Sequence, residues 1–402
     1  MKRPAQALAT LAALALAWAA AAQAADNQTP DNPASVVGAA RCRYSERVRA
    51  LPPLRGVMSP VRDMTEDDFR TLASWGVRLL RYQIVRDWNR TDANRDLAEY
   101  DRWLDSRLDH LDFFVLPMAR LHGMKVVIDL HVTPGGKDRD GELNMFHEPA
   151  YAEHFLRCWE RIARRFRGND AVYGYDLVNE PSQKREAPPG CGWLALQRRA
   201  AERIRAVDPA TPLIVEANLA ASPYGLPREP FLDLEDVIYE VHVYIPVEYT
   251  HQGVFSPDAP RAKWPDPARG WERDFCIRDR ILKPVREFQL KYGARIYAGE
   301  FSAVAWAEGA ENYLRDCISL FGEYGWDWTY HAFREWEGWS VEHEGPDIGH
   351  MAPSADNPRR RALLEGFARG RAAEAPATAT DAQSASLPTA TDSKRLQSET
   401  NH

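Results

Sequence analysis

Short apolar runs, eight in all, alternate with amphipathic helical patterns along the central part of the chain, and this alternation constrains the fold more than any other feature. The runs that we predict as strands lie near residues 55–59, 78–84, 125–131, 171–180, 212–218, 237–245, 294–300 and 328–333. Between them lie helical patterns at 65–75, 101–122, 151–165, 193–207, 274–291 and 312–324. This repetition predicts an α/β protein whose parallel sheet closes into a (β/α)8 TIM barrel.

An open, doubly wound sheet is the competing topology. It is disfavoured because no glycine-rich phosphate loop follows the first predicted strand, and Gly135-Gly136 after the third is too short a signal. The 51 basic and 58 acidic residues give a net charge of −7, which is too small and of the wrong sign for a nucleic-acid partner. We therefore expect one barrel that binds no nucleic acid.

The N-terminus has the composition of a targeting segment. Lys2 and Arg3 precede an Ala/Leu-rich run at 5–21, which predicts a secretory signal peptide over 1–24, cleaved after Ala24. A retained anchor is the alternative, but the apolar run is short and no stop-transfer charge cluster follows it. We expect a secreted or periplasmic protein without stable membrane insertion.

The polar segments next to both ends set the domain limits. Residues 25–40 are expected to form a flexible N-terminal segment, and 371–402, with almost no large apolar side chains, a disordered C-terminal tail. The remaining 41–370 contains no low-complexity break, so it is expected to form a single domain and a monomer.

The five cysteines are Cys42, Cys158, Cys191, Cys276 and Cys317. In an oxidising compartment an odd number leaves at least one thiol unpaired or bonded to another chain. None has metal-ligand spacing, and no His-x-His pair or compact carboxylate cluster is apparent at a strand end. We therefore expect neither a metal nor a cofactor.

Two predicted strands end abruptly in a glutamate, at Glu180 in YDLVNEP (175–181) and at Glu300 in IYAGEFS (296–302). The C-terminal ends of the strands build the active site in a TIM barrel, so both side chains are expected at one rim. For either glutamate alone, a solvated rim residue is the alternative. Other polar residues near strand ends are expected at the same rim, namely Arg81, His131, Asn179, His242 and Tyr244.

A pair of carboxyl groups suits the cleavage of an acetal. One group protonates the leaving oxygen while the other attacks or stabilises the oxocarbenium-like carbon from the opposite face. Burial and neighbouring charges can keep one carboxyl protonated and the other ionised at the same pH. The two strand-end glutamates therefore suggest a glycosidase.

Six segments, in order along the chain, resemble glycoside hydrolase family 5, the cellulase and mannanase family of clan A barrels. They are LRGV (54–57), GVRLLR (76–81), VVIDLH (126–131), LVNEP (177–181), VHVY (241–244) and AGEF (298–301). The resemblance covers most of the predicted domain. It implies a retaining double displacement with Glu180 as general acid/base and Glu300 as nucleophile, whose carboxyl groups must lie about 5 to 5.5 Å apart.

The resemblance also implies roles for the other rim residues. Asn179 would hydrogen-bond the 2-hydroxyl of the sugar at the cleavage point, Tyr244 would donate to Glu300, and Arg81 would keep Glu300 ionised. His131 and His242 would line the same sugar site, although a structural hydrogen bond is the alternative for each histidine.

The eighth strand departs from the family pattern. Many members carry a Trp three positions after the first Trp of this strand, whereas residues 328–331 read WTYH. Either Trp336 or Trp339 could supply the sugar-stacking platform from the following loop, and Trp336 is favoured because it is closer to the strand end. Acidic residues of this loop, Glu335 among them, could bind sugar hydroxyls, although a solvated loop accounts for most of them.

The leading hypothesis is a retaining hydrolase that acts on a β-glucan or a related oligo- or polysaccharide. Transglycosylation by the same site is a second possibility, which the sequence does not separate from hydrolysis. A non-catalytic carbohydrate-binding barrel is a third, disfavoured because Glu180 and Glu300 are both present. A metal-dependent hydrolase is a fourth, disfavoured by the lack of a ligand motif.

Overall fold

The computed structural model describes residues 41–86, 91–254 and 259–374. Eight parallel strands form a closed barrel in sequence order, with β8 paired to β1. The strands are β1 (Arg55–Met58), β2 (Leu79–Gln83), β3 (Lys125–Asp129), β4 (Val172–Asp176), β5 (Leu213–Glu216), β6 (Val237–Val243), β7 (Arg295–Phe301) and β8 (Asp327–Tyr330). The predicted (β/α)8 barrel is confirmed, and every predicted strand is present with somewhat different bounds.

Helices follow the strands around the barrel. They are α1 (Glu46–Arg49), α2 (Glu66–Trp75), α3 (Thr91–Arg95), α4 (Leu97–His110), α5 (Leu116–Leu121), α6 (Pro149–Phe166), α7 (Trp193–Val207), α8 (Val247–Thr250), α9 (Lys283–Tyr292), α10 (Ala310–Tyr324) and α11 (Pro358–Glu374). Short 3-10 turns lie at Asn144–Phe146, Pro223–Gly225 and Pro267–Arg269. Two short strands, β9 (His343–Glu344) and β10 (Ala352–Pro353), form an antiparallel pair after the barrel.

Two of the predicted helices contain π-helical segments, at Leu111–Val115 before α5 and at Arg273–Leu282 before α9. The helix that follows each segment has a proline in its first turn, Pro117 or Pro284. Proline has no N–H to continue the α-helical hydrogen-bond ladder, so the pattern changes just before it. The apolar periodicity predicted both helices but not this change.

Apolar side chains fill two separate regions. One continuous core lies between the outer face of the strands and the helices. A smaller cluster comes from the barrel strands and their N-terminal ends, and it consists of Leu54, Leu79, Val127, Tyr173, Ile214, Ile238 and Tyr297. Every second residue of a strand points to the same face. The residues two positions after those of the smaller cluster therefore also point into the interior, nearer the C-terminal rim.

The chain ends bear on the predicted domain limits. The predicted signal peptide (1–24) and flexible segment (25–40) lie outside the described residues. Helix α11 continues to Glu374, so the tail predicted for 371–402 begins four residues too early, and residues 375–402 are outside the described part. All five cysteines lie within the described ranges as free thiols. Among the described helices, none combines the length and apolar character needed to cross a bilayer.

Candidate active site

A polar layer lies above the apolar cluster inside the barrel. Arg81 follows Leu79 by two residues in β2, and Glu240 and His242 follow Ile238 in the same way in β6. Hydrogen bonds and close contacts in this layer, including His242 Nδ1 at 3.7 Å from Glu300 Oε2, connect all seven polar residues predicted for the site, namely Arg81, His131, Asn179, Glu180, His242, Tyr244 and Glu300.

Glu300, near the end of β7, has a hydrogen-bond donor on each carboxylate oxygen. Arg81 Nη1 donates to Oε1 at 2.7 Å, and the Tyr244 hydroxyl donates to Oε2 at 2.9 Å. Burial alone would raise the pKa of Glu300, but the positive charges of His242, His331 and Arg81 hold it well below its usual value. The side chain is therefore a fixed, ionised carboxylate, and only 6% of it is exposed.

Glu180 follows β4 in a backbone conformation that is uncommon for a residue with a side chain, with φ of 48°. Its N–H donates to Glu216 Oε2 at 2.7 Å, and its Oε1 lies 3.2 Å from His242 Nδ1. One carboxylate oxygen of Glu180, one of Glu300 and a ring nitrogen of His242 all lie within 4.8 Å of one another. Glu216 thus fixes the backbone of Glu180. The carboxylate of Glu180 lies beside His242 and close to the carboxylate of Glu300.

The chain after Glu180 is held by loops from both neighbouring strands. On one side, Asn218 Oδ1 accepts from Gln183 N at 3.0 Å. On the other, Glu142 Oε1, in the loop after β3, accepts from the N–H groups of Lys184 and Arg185 at 2.7 and 3.0 Å. These contacts fix the path that the chain takes after Glu180, as it leaves the rim.

Asn179 is oriented by two of the other predicted residues. Its Oδ1 accepts from Arg81 Nη2 at 3.0 Å, and its Nδ2 lies 3.3 Å from His131 Nε2. The other ring nitrogen of His131, Nδ1, lies 2.7 Å from Asp129 Oδ2. A proton on Nδ1 satisfies both contacts, because Nε2 can then accept from the amide of Asn179. The second N–H of the Asn179 amide is then not directed at His131.

Arg81 lies at the centre of a buried group of carboxylates, and the prediction of no compact carboxylate cluster at a strand end is wrong. The guanidinium lies within 2.7 to 3.4 Å of an oxygen of each of five residues, Asp129, Asp176, Glu216, Glu240 and Glu300. Each comes from a different strand, so only barrel closure brings them together. The sequence did contain a signal for two of these carboxylates, because Asp129 and Glu240 each lie two residues before a histidine predicted for the site, His131 and His242.

Burial and the neighbouring charges shift the pKa values of the groups in this cluster. Burial, and then the charge of Glu240, raise the pKa of Asp176 well above its usual value. Asp176 Oδ1 is buried and has no hydrogen-bond partner among the described residues. The pKa of His242 is raised as well, since Glu300 and Glu216 outweigh the effect of its burial. Gly299 is required beside this cluster, because a Cβ there would lie 1.5 Å from Glu240 Oε1.

Ligand atoms suited to a metal ion also occur here. Those of Glu216, Glu240 and His242 lie within 4.8 Å of one another. Arg81 Nη2 already donates to Glu216 Oε1 at 2.8 Å, so the guanidinium occupies the place where a cation would neutralise this group.

The two candidate tryptophans occupy different places. The ring of Trp339 lies 6.2 Å from that of Tyr244 and 5.0 Å from that of His251. Trp336 is half-buried and packs edge-on against Trp306 and Trp339. Trp339 therefore lies beside the tyrosine that donates to Glu300, and the preference for Trp336 as the stacking platform stays a prediction.

A closed (β/α)8 barrel with two neighbouring glutamates at the ends of β4 and β7, one of them held ionised, defines a glycoside hydrolase. The family model described as cellulase (glycosyl hydrolase family 5) matches residues 47–336. The chain belongs to this family, as the resemblance of its motifs predicted.

Curated relatives and solved structures agree with this assignment. The chain is 28% identical to cellodextrinase A of Ruminococcus flavefaciens over 281 residues, 67% of this chain and 79% of the relative. It is 25% identical to endoglucanase C of Acetivibrio thermocellus over 299 residues, 66% and 84% of the two chains. A hyperthermophilic endo-β-1,4-glucanase solved in complex with substrate has the same fold, with a TM-score of 0.60, 20% identity and coverage of 78% of this chain and 96% of its own.

Proposed function

We propose that the protein is a retaining β-glycosidase that cleaves a β-glucan or a related polysaccharide, with Glu300 as nucleophile and Glu180 as general acid/base. The observation that carries the proposal is the approach of one oxygen of each carboxylate to within 4.8 Å, beside a ring nitrogen of His242. This approach favours the retaining arrangement, in which the carboxyl groups are about 5 to 5.5 Å apart, over the inverting one, in which they are about 6.5 to 9.5 Å apart.

In the first step, Glu300 attacks the anomeric carbon as the bond from that carbon to the leaving oxygen breaks. Glu180 gives its proton to that oxygen, so the aglycone leaves as a neutral alcohol. The donors Arg81 and Tyr244 support this role of Glu300, because they hold both carboxylate oxygens in place before substrate binds.

In the second step, water attacks the anomeric carbon of the glycosyl-enzyme and gives a proton to Glu180, and the bond to Glu300 breaks. Asn179 donates to the 2-hydroxyl of the bound sugar from an amide that Arg81 and His131 orient. The product keeps the β configuration because the anomeric carbon is inverted twice.

The choice of β-glucan rests on the relatives, which are named as a cellodextrinase and an endoglucanase. A screen over β-1,4-glucan, β-1,3-glucan, mannan, xylan and aryl β-glycosides, with the products sized, tests it. Cleavage of a β-glucan or a β-glucoside is the expected result, and activity confined to mannan or xylan would contradict this choice.

Proton NMR during hydrolysis tests the stereochemical proposal. The first product to form is expected to be the β-anomer, before mutarotation. An α-anomer as first product would contradict the retaining mechanism, whatever the sugar.

We also propose that the protein is exported, on the composition of residues 1–24. Expression of the full chain in a Gram-negative host should give a periplasmic protein whose N-terminal residue is Ala25. An uncleaved chain in the membrane fraction would instead indicate a retained anchor.

A further inference from the structure

His331 lies where many members of the family carry a tryptophan, directly after β8. Its ring is edge-on to that of Tyr244, at a centroid distance of 6.1 Å and an interplanar angle of 89°. The hydroxyl of Tyr244 donates to Glu300. The wall of the sugar site at β8 is therefore formed by a polar ring that lies one side chain away from the proposed nucleophile.

Glu335, four residues later, is fixed beside this ring. Its Oε2 accepts from Gln83 Nε2 at 2.8 Å and lies 3.3 Å from His331 Nε2. Gln83, the last residue of β2, is itself oriented because its Nε2 donates to the carbonyl oxygen of Ser59 at 2.6 Å. Residues at the C-terminal ends of β1, β2 and β8 thus hold the side chain of Glu335 in place.

The other oxygen of Glu335 remains available. Within the part of the chain that the structure describes, Oε1 has no hydrogen-bond donor, and 16% of the side chain is exposed, close to the 14% of Glu180. Burial raises the pKa of Glu335, but His331 and Gln83 outweigh it, so the carboxylate is ionised. An ionised carboxylate with one free oxygen in a sugar cleft is a strong acceptor for hydroxyl groups.

The order of the strands indicates which edge of the sugar Glu335 faces. With C1 of the sugar at Glu300, Asn179 after β4 takes the 2-hydroxyl. His131 after β3 contacts Asn179, and Gln83 at the end of β2 holds Glu335. A sugar placed in this way would run from C2 to C3 and C4 as the rim passes from β4 to β3 to β2.

We infer that Glu335 is a specificity-determining residue that accepts a hydrogen bond from a hydroxyl on the C3–C4 edge of the sugar at the cleavage point. His331 holds Glu335 in place and puts a polar ring where many members of the family have a tryptophan. The substrates selected in this way are β-glycosides with a free hydroxyl on that edge. This inference rests on the proposed function.

A double-mutant cycle between enzyme and substrate tests it. Aryl β-glucosides that lack the 3-, 4- or 6-hydroxyl are assayed with the wild type, with Glu335→Gln and with Glu335→Ala. Removal of the 3- or 4-hydroxyl is expected to lower kcat/KM of the wild type about 10- to 100-fold, as for a hydrogen bond to a charged group. In Glu335→Ala most of this penalty should disappear, while the penalty for the 6-hydroxyl should be unchanged.

The matched control is Glu337→Ala, because Glu337 is an exposed residue of the same loop. It should keep the wild-type penalties at all three positions. If Glu335→Ala does not fold, the comparison is made with Glu335→Gln, which keeps the shape of the side chain and should show a partial loss of the same penalty. Equal penalties in the wild type and the Glu335 variants at both C3 and C4 would overturn the inference. A wild type that cleaves neither these aryl β-glucosides nor any substrate of the screen described above would instead overturn the proposed function.

Discussion

The barrel interior contains one arginine at each end, Arg81 fully buried and Arg295 15% exposed, and the two arginines face very different amounts of negative charge. At the N-terminal end, Arg295 donates to both oxygens of Asp327 at 2.7 and 2.9 Å. Its other N–H groups donate to the carbonyl oxygens of Val48, Leu51 and Pro52. One cation and one anion are balanced there, and every donor of the guanidinium has a partner.

At the C-terminal end, Arg81 faces five carboxylates with the help of His242, and buried acceptors remain unpartnered among the described residues, including Asp176 Oδ1 and Glu240 Oε2. A buried cluster with excess charge does not improve stability. Perturbed carboxyl groups of this kind occur at functional sites. The comparison indicates that the Arg295 end maintains the barrel and the Arg81 end serves the chemistry, and substitutions can separate these roles.

The largest expected effect is on activity, at the Arg81 end. Glu300→Gln should lower kcat by about 10³-fold or more, because the amide cannot act as the nucleophile. The free energy of unfolding should change by less than about 1 kcal/mol, because Arg81 keeps four other carboxylates and one repulsive charge is removed. Kinetics and urea denaturation measure the two quantities, and near-normal turnover would show that Glu300 is not the nucleophile.

The opposite pattern is expected at the Arg295 end. Asp327→Asn should lower the free energy of unfolding by about 3 kcal/mol, because it leaves the largely buried Arg295 without its counter-ion. The kcat of the folded fraction should remain that of the wild type. A stability loss as small as that of an exposed substitution such as Glu337→Gln would show that the two ends do not differ in this way.

A smaller effect on activity is expected at Glu216, which contacts both Arg81 and the backbone of Glu180. Both oxygens of Glu216 accept, one from Arg81 and one from the N–H of Glu180. In Glu216→Gln only one of these contacts can persist, because the amide presents a single acceptor. We expect kcat to fall about 10- to 100-fold for poor leaving groups and by less than about threefold for activated aryl glycosides, since misplacement of Glu180 weakens acid assistance. An equal loss across leaving groups would argue against a positioning role.

The smallest effect is a shift in pH dependence. The proposed nucleophile must be ionised to attack, and the depressed pKa of Glu300 should place the acid limb of kcat/KM below the pH near 4.3 at which an unperturbed glutamate titrates. His242, whose own pKa is raised, supplies positive charge that causes this depression. In His242→Gln the acid limb should move to higher pH, whereas Asp327→Asn should leave it in place. An unchanged limb in His242→Gln would contradict the assigned cause.

Much of the fold could be predicted from local patterns. The strand–helix alternation gives the barrel, and the helical pattern at 65–75 matches α2. The π-helical segments were missed because a change of hydrogen-bond partner leaves the amphipathic pattern almost unaltered. Helix α11 was not among the predicted helices, and its last four residues fall in the predicted tail because they are small or polar like the rest of that segment.

The candidate site was predictable where a residue's position on its own strand decides its place. Glu180, Glu300 and Arg81 belong to that class, since strand ends meet at one rim. The contacts between Glu216 and the N–H of Glu180, and between Trp339 and Tyr244, depend on strand closure and on the path of a loop. They involve residues far apart in sequence, so no local pattern indicates them.

The central claim is that Glu300 becomes covalently bound to the sugar while Glu180 handles the proton. An activated 2-deoxy-2-fluoro-β-glucoside tests it most directly, because the electron-withdrawing fluorine slows both steps and allows the intermediate to accumulate when the leaving group is good. Mass spectrometry of the digested protein should then find one fluorosugar on the peptide that contains Glu300. A label on the peptide that contains Glu180, or steady turnover with no labelled peptide, would contradict the account.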